Sequence, residues 1–216
     1  KVMPVLFKYT EPLLGVWKIE ESSEELLSML EQSSEYLPFL QQIKTEKRRQ
    51  EWLASRVLLK ELAGEELLIA YHDDGAPYLP DSSLSLSISH TNGYAAVLLQ
   101  EQGAAGIDIE YRSDRVLKIR SRFMSPEENA SVGPDYETEH LLVHWCAKEA
   151  LFKMIRQQDV DFIEHLHVEP FTYTGSGELW AFETRTPERK SYVLSYKVFP
   201  EFVLVYSIPS CFGNPE

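Results

Sequence analysis

The sequence contains little cysteine, little positive charge and no long apolar run. Only two of its 216 residues are cysteines, Cys146 and Cys211, which excludes a disulfide-stapled scaffold and favours a reducing compartment. No apolar run approaches the ~20 residues that a transmembrane helix requires. Residues 1–10 also lack the long apolar stretch and cleavage site of a signal peptide. We therefore expect a cytoplasmic protein that does not contact a membrane.

The charge balance argues against a nucleic-acid partner. Lysine and arginine number 21 against 34 aspartates and glutamates, for a net charge of −13 at pH 7, whereas nucleic-acid binding requires a broad basic surface. Ten of the 21 basic residues nevertheless fall within the two segments 44–56 and 112–122. Such clustering indicates an anionic ligand or partner. Taken alone, however, each cluster is explained equally well as one solvent-exposed face of a helix.

Strand-like and helix-like segments alternate along the chain and predict an α+β fold. Branched and aromatic residues predict strands over 2–7, 14–19, 84–89, 95–99, 105–111, 166–168, 179–183, 192–198 and 202–207. Apolar periodicity predicts helices over 46–62, 116–123 and 138–156, and capping residues predict two more that begin near Ser22 and Ser125. The junction near Gly103 divides the chain into halves of residues 1–103 and 104–209, followed by a loose tail at 210–216. A cleft between two such halves is a natural ligand site.

Two acidic residues alternate with isoleucines in the segment Gly-Ile-Asp-Ile-Glu at 106–110. On a strand, residues i and i+2 share a face, so Asp108 and Glu110 point together and the isoleucines face the core. Adjacent carboxylates repel unless a cation neutralises them, and oxygen ligands at this spacing suit Mg²⁺ together with phosphate oxygens. An isolated pair of this kind usually lies only on the solvent-exposed face of a strand.

Two further segments contain polar side chains at informative positions. Residues 144–153 read His-Trp-Cys-Ala-Lys-Glu-Ala-Leu-Phe-Lys, and on a helix Glu149 and Lys153 lie one turn apart on one face. Taken alone, that pair is typical of an exposed helix surface. Residues 86–91 end a predicted strand with Ser89 and His90, whose side chains can hydrogen-bond to a phosphate.

Taken in chain order, 86–91, 106–110 and 144–153, the three segments resemble the signature of the 4′-phosphopantetheinyl transferase superfamily, in its long type with two halves. That signature is Ile/Val-Gly-Ile/Val-Asp-x-Glu followed after about forty residues by Trp-Ser/Cys-x-Lys-Glu-Ser/Ala-x-x-Lys. This chain matches it apart from Ala105 at the variable leading position, and the similarity covers residues 44–153. The resemblance implies two similar α+β halves related by a pseudo-twofold axis, with the active site in the cleft between them. It also implies Mg²⁺-dependent transfer of the phosphopantetheine arm of coenzyme A to a serine of an acyl or peptidyl carrier protein, with release of adenosine 3′,5′-bisphosphate.

The resemblance also implies roles for individual residues. Asp108, Glu110 and Glu149 bind Mg²⁺, and Glu149 is in addition the general base for the carrier serine. Lys153 is catalytic, because it binds the pyrophosphate and offsets charge in the transition state. The residues implied to bind coenzyme A are Arg49, Arg56, Gly75, Pro77, Ser89, His90, Lys148 and Lys153.

The resemblance leaves alternatives for some of these implied contacts. Arg49 and Arg56 are preferred over Lys44, Lys47 and Arg48 for the 3′-phosphate of coenzyme A. Lys148 either joins the anion site or pairs with an acid. Ala76 stands between Gly75 and Pro77 where the family often has lysine, so affinity for coenzyme A is lower or another cation substitutes.

The second basic segment is implied to dock the carrier protein, whose helix beside the serine is acidic. The expected docking residues are Arg112, Arg115, Lys118, Arg120 and Arg122, with Phe123 and Met124 as the apolar centre. We expect the protein itself to be a monomer.

Three alternatives remain open. A coenzyme A or carrier-binding module without catalytic activity predicts a broken acidic triad, but the triad is intact. A metal-dependent nuclease or phosphohydrolase also uses Asp-x-Glu with a lysine, but it requires a basic groove. A cysteine hydrolase could use Cys146 with His90 or His144, although a cysteine in mid-helix is better explained as a small packed residue.

Overall fold

The computed structural model describes residues 5–209. In chain order, the elements of this range are β1 (Val5–Thr10), β2 (Leu13–Lys18), α1 (Ser23–Ser28), α2 (Ser33–Gln42), α3 (Glu46–Ala63), β3 (Ala70–Tyr71), β4 (Pro77–Tyr78), β5 (Ser85–Thr91), β6 (Tyr94–Gln100), β7 (Ile107–Tyr111), α4 (Arg115–Ile119), a 3₁₀ turn (Arg120–Arg122), α5 (Pro126–Ser131), α6 (Glu137–Ile155), β8 (Leu166–Val168), β9 (Ser176–Glu183), β10 (Ser191–Val198) and β11 (Phe202–Ser207). The predicted α+β class is confirmed. The start of the predicted strand at 2–7, the tail at 210–216 and Cys211 lie outside the described residues.

The N-terminal sheet is antiparallel, with strand order β1-β2-β6-β5. Helix α3 packs on this sheet and buries apolar side chains such as Leu53 and Leu58. Thr45 caps the start of the helix by accepting a hydrogen bond from the backbone N–H of Arg48, and Gly64 ends it with φ +80°. Glycine suits that left-handed position because it has no Cβ, so the predicted helix end near Gly64 is confirmed.

The C-terminal sheet has strand order β7-β11-β10-β9-β8 and packs against α6. Gly106, which comes directly before β7, lets this helix approach the strand closely. A Cβ at Gly106 would lie 2.5 Å from the carbonyl oxygen of Ala150 and 2.5 Å from Cγ of Met154. Because such distances are excluded sterically, only glycine allows α6 and β7 to sit this close, and this contact builds the site described below.

The two sheets meet along β5 and β7, where side chains replace the usual backbone ladder. Hydroxyl oxygens on β5 accept hydrogen bonds from backbone N–H groups on β7. The pairs are Ser87 with Ile107 (3.1 Å), Ser89 with Ile109 (3.3 Å) and Tyr111 with Thr91 (2.9 Å). An apolar cluster, including Leu14, Leu98 and Leu204, closes the same junction. The boundary at 103 and the pseudo-twofold axis stay predictions.

The structure contains one helix that the sequence analysis did not predict. Helix α2 buries Tyr36 and Leu40, four residues apart, and it includes Pro38. Proline inside a helix removes a hydrogen bond, which weakened the helical signal of this segment. The predicted helix over 116–123 is shorter, because α4 passes into the 3₁₀ turn. Within residues 5–209, no helix has both the length and the apolarity needed to cross a membrane.

Candidate active site

Asp108 lies at the centre of the candidate site, where β7, β5 and α6 meet. Its Oδ1 accepts hydrogen bonds from the Ser89 hydroxyl (2.9 Å) and from Lys153 Nζ (2.8 Å). Lys153 also donates to the carbonyl oxygen of Ile107 (2.8 Å). The other oxygen of Asp108, Oδ2, is buried and accepts no hydrogen bond from the described residues. An unpaired buried carboxylate oxygen is costly, so it indicates a position that a ligand completes.

Two further carboxylates share this environment. Glu110 accepts a hydrogen bond from the indole N–H of Trp145 (3.1 Å). Burial, reinforced by the charge of Asp108, raises the pKa of Glu110. The same two causes raise the pKa of Glu149 to about 7. The charge of Asp108 therefore opposes the ionisation of both glutamates, and a bound cation would relieve that repulsion.

The donor set fits a magnesium ion that is shared with a ligand. Among residues 5–209, no three histidine, cysteine, aspartate or glutamate side chains form a ready-made metal cage. Mg²⁺ does not require one, because it commonly takes one or two carboxylates plus phosphate oxygens and water. The unpaired Oδ2 of Asp108 and the raised pKa values of its neighbours suit such a cation. Asp108, Glu110 and Glu149 are the residues that could hold it.

A second polar cluster links α3 to the end of β5. Arg48 donates through Nη1 to Nε2 of His90 (2.8 Å) and to Glu51 Oε2 (3.2 Å). The same carboxylate oxygen lies 3.6 Å from Nδ1 of His90, which orients the imidazole, and burial lowers the pKa of that ring. Lys47 extends the cluster by donating to Asn92 (3.2 Å). The result is a cluster at the edge of the site in which Lys47 and Arg48 carry positive charge beside His90.

A cleft of about 1100 Å³ opens beside Lys153. The β3–β4 hairpin lines one side with Gly75 and Pro77, and the end of α6 lines the other. Gly75 has φ +84°, a conformation that the tight turn of this hairpin requires and that glycine tolerates. The cleft therefore brings residues before and after the junction into one cavity.

Comparison with known proteins shows the family. Residues 104–197 match the 4′-phosphopantetheinyl transferase superfamily, and residues 39–100 match the 4′-phosphopantetheinyl transferase N-terminal domain. The two matches are adjacent and together cover most of the chain. The chain belongs to the 4′-phosphopantetheinyl transferase superfamily. This confirms the resemblance found in the sequence.

Curated relatives agree with this assignment over part of their length. The 4′-phosphopantetheinyl transferase AcpT of Escherichia coli (strain K12) is 33% identical over 112 residues, which are 49% of this chain and 57% of that protein. The AcpT of Salmonella typhimurium is 30% identical over 112 residues, or 49% of this chain and 58% of that protein. The chain thus spans less than two thirds of the curated relatives that it matches.

Within this transferase fold, Lys148 lies apart from the anion cluster. Its side chain is fully buried and donates to Glu128 Oε2 (2.7 Å) and to the carbonyl oxygens of Phe123 and Phe162. An ammonium group has three N–H donors, so all of them are used within the protein. The implied contact of Lys148 with coenzyme A is therefore corrected, and its alternative, a pair with an acid, is what the structure shows.

The docking surface implied by the sequence also needs correction. Phe123 and Met124 are 0% and 3% exposed, because they pack in the C-terminal core, so they cannot form an apolar centre for a partner. Leu117, which is 38% exposed on α4, is the apolar side chain that the same segment does present. Arg112 and Arg120 are paired with acids of α6, namely Glu139 and Glu137. Arg115, Lys118 and Arg122 are exposed in the same segment as Leu117.

The remaining expectations for the phosphate cluster stay predictions. The structure brings Arg48, rather than Arg49 or Arg56, into contact with His90. Arg49 donates through Nε to the carbonyl oxygen of Ile43 (2.9 Å). Arg56 is 4% exposed, stacks 3.3 Å from the centroid of the Trp52 ring and donates to the Tyr71 hydroxyl. The preference for Arg49 and Arg56 over Arg48 stays a prediction, and the i,i+3 spacing of Arg48 and Glu51 is the sequence signal for the contact that the structure shows.

The cysteine hydrolase alternative loses its support. Cys146 is fully buried, and burial together with the charges of Asp108 and Glu110 raises the pKa of its thiol. A nucleophilic cysteine requires the opposite, a thiolate in an electropositive environment. Cys146 is therefore a packed residue of α6.

Proposed function

We propose that this protein transfers the 4′-phosphopantetheine arm of coenzyme A to a serine of an acyl or peptidyl carrier protein in the presence of Mg²⁺. The observation that supports it best is the Asp108–Lys153 pair, which has an unpaired carboxylate oxygen, beside Glu149 and next to the cleft. Family membership and the activity for which the relatives are named point in the same direction. A cytoplasmic location and a monomeric state stay predictions.

The residues of the site suit this group transfer. The serine oxygen forms a bond to the β-phosphorus of coenzyme A, while the bond from that phosphorus to the adenosine 3′,5′-bisphosphate oxygen breaks. Glu149 accepts the serine proton, because its carboxylate lies in the same site as Asp108 and Lys153. Lys153 donates to the pyrophosphate and offsets its growing charge. Mg²⁺, held by the three carboxylates, would further neutralise the pyrophosphate.

The cluster around His90 suits the 3′-phosphate. Arg48 supplies the charged donor, and the buried Glu51 carboxylate holds the side chains of Arg48 and His90 in place. Charge-assisted hydrogen bonds of this type are about twice as strong as neutral ones. Ser89 orients Asp108 through its hydroxyl, which is a role that the sequence did not indicate. Arg49, Arg56, Gly75 and Pro77 remain proposed contacts.

Mass spectrometry of an apo carrier protein tests the proposal directly. Incubation with this protein, coenzyme A and Mg²⁺ is expected to add one phosphopantetheine group of about 340 Da, and EDTA is expected to prevent the gain. No mass gain on any of several carriers while coenzyme A still binds would support the non-catalytic binding module instead. Absence of both transfer and binding would refute the assignment altogether.

We also propose that the carrier docks on the surface formed by Arg115, Leu117, Lys118 and Arg122. Its basic rim and exposed leucine complement the acidic helix of a carrier. Charge reversal by Arg122→Glu is expected to raise the KM for the carrier about tenfold, with kcat and the affinity for coenzyme A unchanged. The matched control is Arg189→Glu in the exposed β9–β10 turn. An equal effect of both variants would exclude this surface.

A further inference from the structure

An ion pair spans the mouth of the cleft. Arg156, the residue that ends α6, donates through Nε (3.1 Å) and Nη2 (3.0 Å) to Oδ2 of Asp74 in the β3–β4 turn. The other oxygen of Asp74 accepts the backbone N–H of Ala76 (3.0 Å). Of the ion pairs found within residues 5–209, this is the one that joins an element of the N-terminal part to one of the C-terminal part.

The guanidinium of Arg156 is accessible to a ligand in the cleft. Arg156 and Lys153 are the two basic side chains, lysine or arginine, that line this cavity in the described part of the chain. Lys153 is held by Asp108, whereas the side chains of Arg156 and Asp74 are 43% and 30% exposed. A phosphate that enters the cleft can therefore contact the Arg156 guanidinium, because its partner Asp74 is itself partly exposed to solvent.

The conformation of Arg156 gives a second reason to assign it a role. Its backbone is left-handed, with φ 49° and ψ 46°, a position where glycine or asparagine usually ends a helix at lower cost. An exposed ion pair is worth at most about 1 kcal/mol, so the contact with Asp74 does not explain the arginine through stability. Ala76, which replaces the lysine that the resemblance leads us to expect, lies in the same turn.

We propose that Arg156 binds a phosphate group of coenzyme A and exchanges its contact with Asp74 for that ligand. Asp74 then has two effects in the free protein, because it keeps the guanidinium at the cleft and cancels its charge. This inference rests on the proposed function, since it takes coenzyme A as the ligand of the cleft. Asp74 and the phosphate compete for one cation, so the two residues of the pair have opposite effects on binding.

Isothermal titration of coenzyme A in Mg²⁺ buffer tests that opposition. Arg156→Gln is expected to raise the Kd about tenfold, since one charge-assisted contact is lost. Arg156→Lys retains the charge and is expected to stay within about threefold of the wild type. Asp74→Asn is expected to lower the Kd about threefold, because it removes a competing acid. Arg189→Gln, in the exposed β9–β10 turn, is the matched control and is expected to bind as the wild type does.

Two outcomes would overturn the inference. Equal weakening by Arg156→Gln and Asp74→Asn would show that the pair only braces the cleft. A wild-type Kd for Arg156→Gln would show that the arginine does not contact the ligand. Failure of the proposed function looks different, because the folded wild-type protein itself would then not bind coenzyme A.

Discussion

Replacing Glu149 by glutamine is expected to lower the rate of phosphopantetheine transfer about a thousandfold. Glutamine retains the size of the side chain, but it can neither accept the serine proton nor contribute a negative charge to a cation site. The rate is measured by mass spectrometry of the carrier protein under single-turnover conditions. Glu188→Gln in the exposed β9–β10 turn is the matched control and should retain the wild-type rate. A Glu149→Gln rate within about tenfold of the wild type would exclude Glu149 as the base.

The same substitution is expected to stabilise the fold when metal is absent. The pKa of Glu149 is raised from 4.5 to about 7, so its ionisation opposes folding fully above pH 7, and the penalty decreases as the pH falls from 7 to 4.5. In EDTA at pH 8, the free energy of unfolding of Glu149→Gln should therefore exceed that of the wild type by roughly 2 kcal/mol. The variant should accordingly melt at a higher temperature. The difference should shrink at pH 5.

Magnesium should narrow that difference in stability. Because the cation offsets repulsion among Asp108, Glu110 and Glu149, it is expected to raise the melting temperature of the wild type more than that of Glu149→Gln. Differential scanning fluorimetry with and without Mg²⁺ measures both effects. A variant that is less stable than the wild type in EDTA at pH 8 would show that the protein itself already neutralises Glu149.

Local periodicity explains which parts of the site were predictable. Asp108 and Glu110 share a strand face, and Glu149 and Lys153 share a helix face, because both spacings follow from the geometry of a single element. The structure then places Lys153 Nζ 2.8 Å from Asp108. The contact between the two elements depends on Gly106, whose missing side chain allows α6 to approach β7.

The remaining features depend on which face of each element is buried, and a single sequence does not specify this. Lys148 precedes Glu149 in a segment rich in charge, yet its side chain lies on the buried face of α6, where it pairs with Glu128. Phe123 and Met124 follow a basic run, yet they close the C-terminal core, and Leu117 is the exposed residue. Neither pattern of burial can be predicted from the neighbouring sequence, since each depends on packing between distant segments.

The Lys148–Glu128 pair is expected to contribute strongly to stability. Glu128 also accepts the backbone N–H groups of Ser125 (2.8 Å) and Val168 (2.9 Å), so its carboxylate ties α5 and β8 to α6. Removing the lysine leaves this charge buried with one partner fewer and two carbonyl groups unsatisfied. Lys148→Met should therefore destabilise the protein by about 3–5 kcal/mol, or about 10 °C in melting temperature.

Guanidinium unfolding with a double-mutant cycle measures this interaction. Glu128→Gln alone leaves a buried ammonium without its counter-charge, so each single variant is expected to cost more than half as much as the double variant. Lys118→Met on exposed α4 is the matched control and should stay within about 0.5 kcal/mol of the wild type. If Lys148→Met instead left stability unchanged and weakened binding of coenzyme A, the lysine would belong to the anion site after all. Full burial with three internal acceptors argues that Lys148→Met destabilises the protein, because an ammonium group whose three donors are used internally cannot also donate to a phosphate.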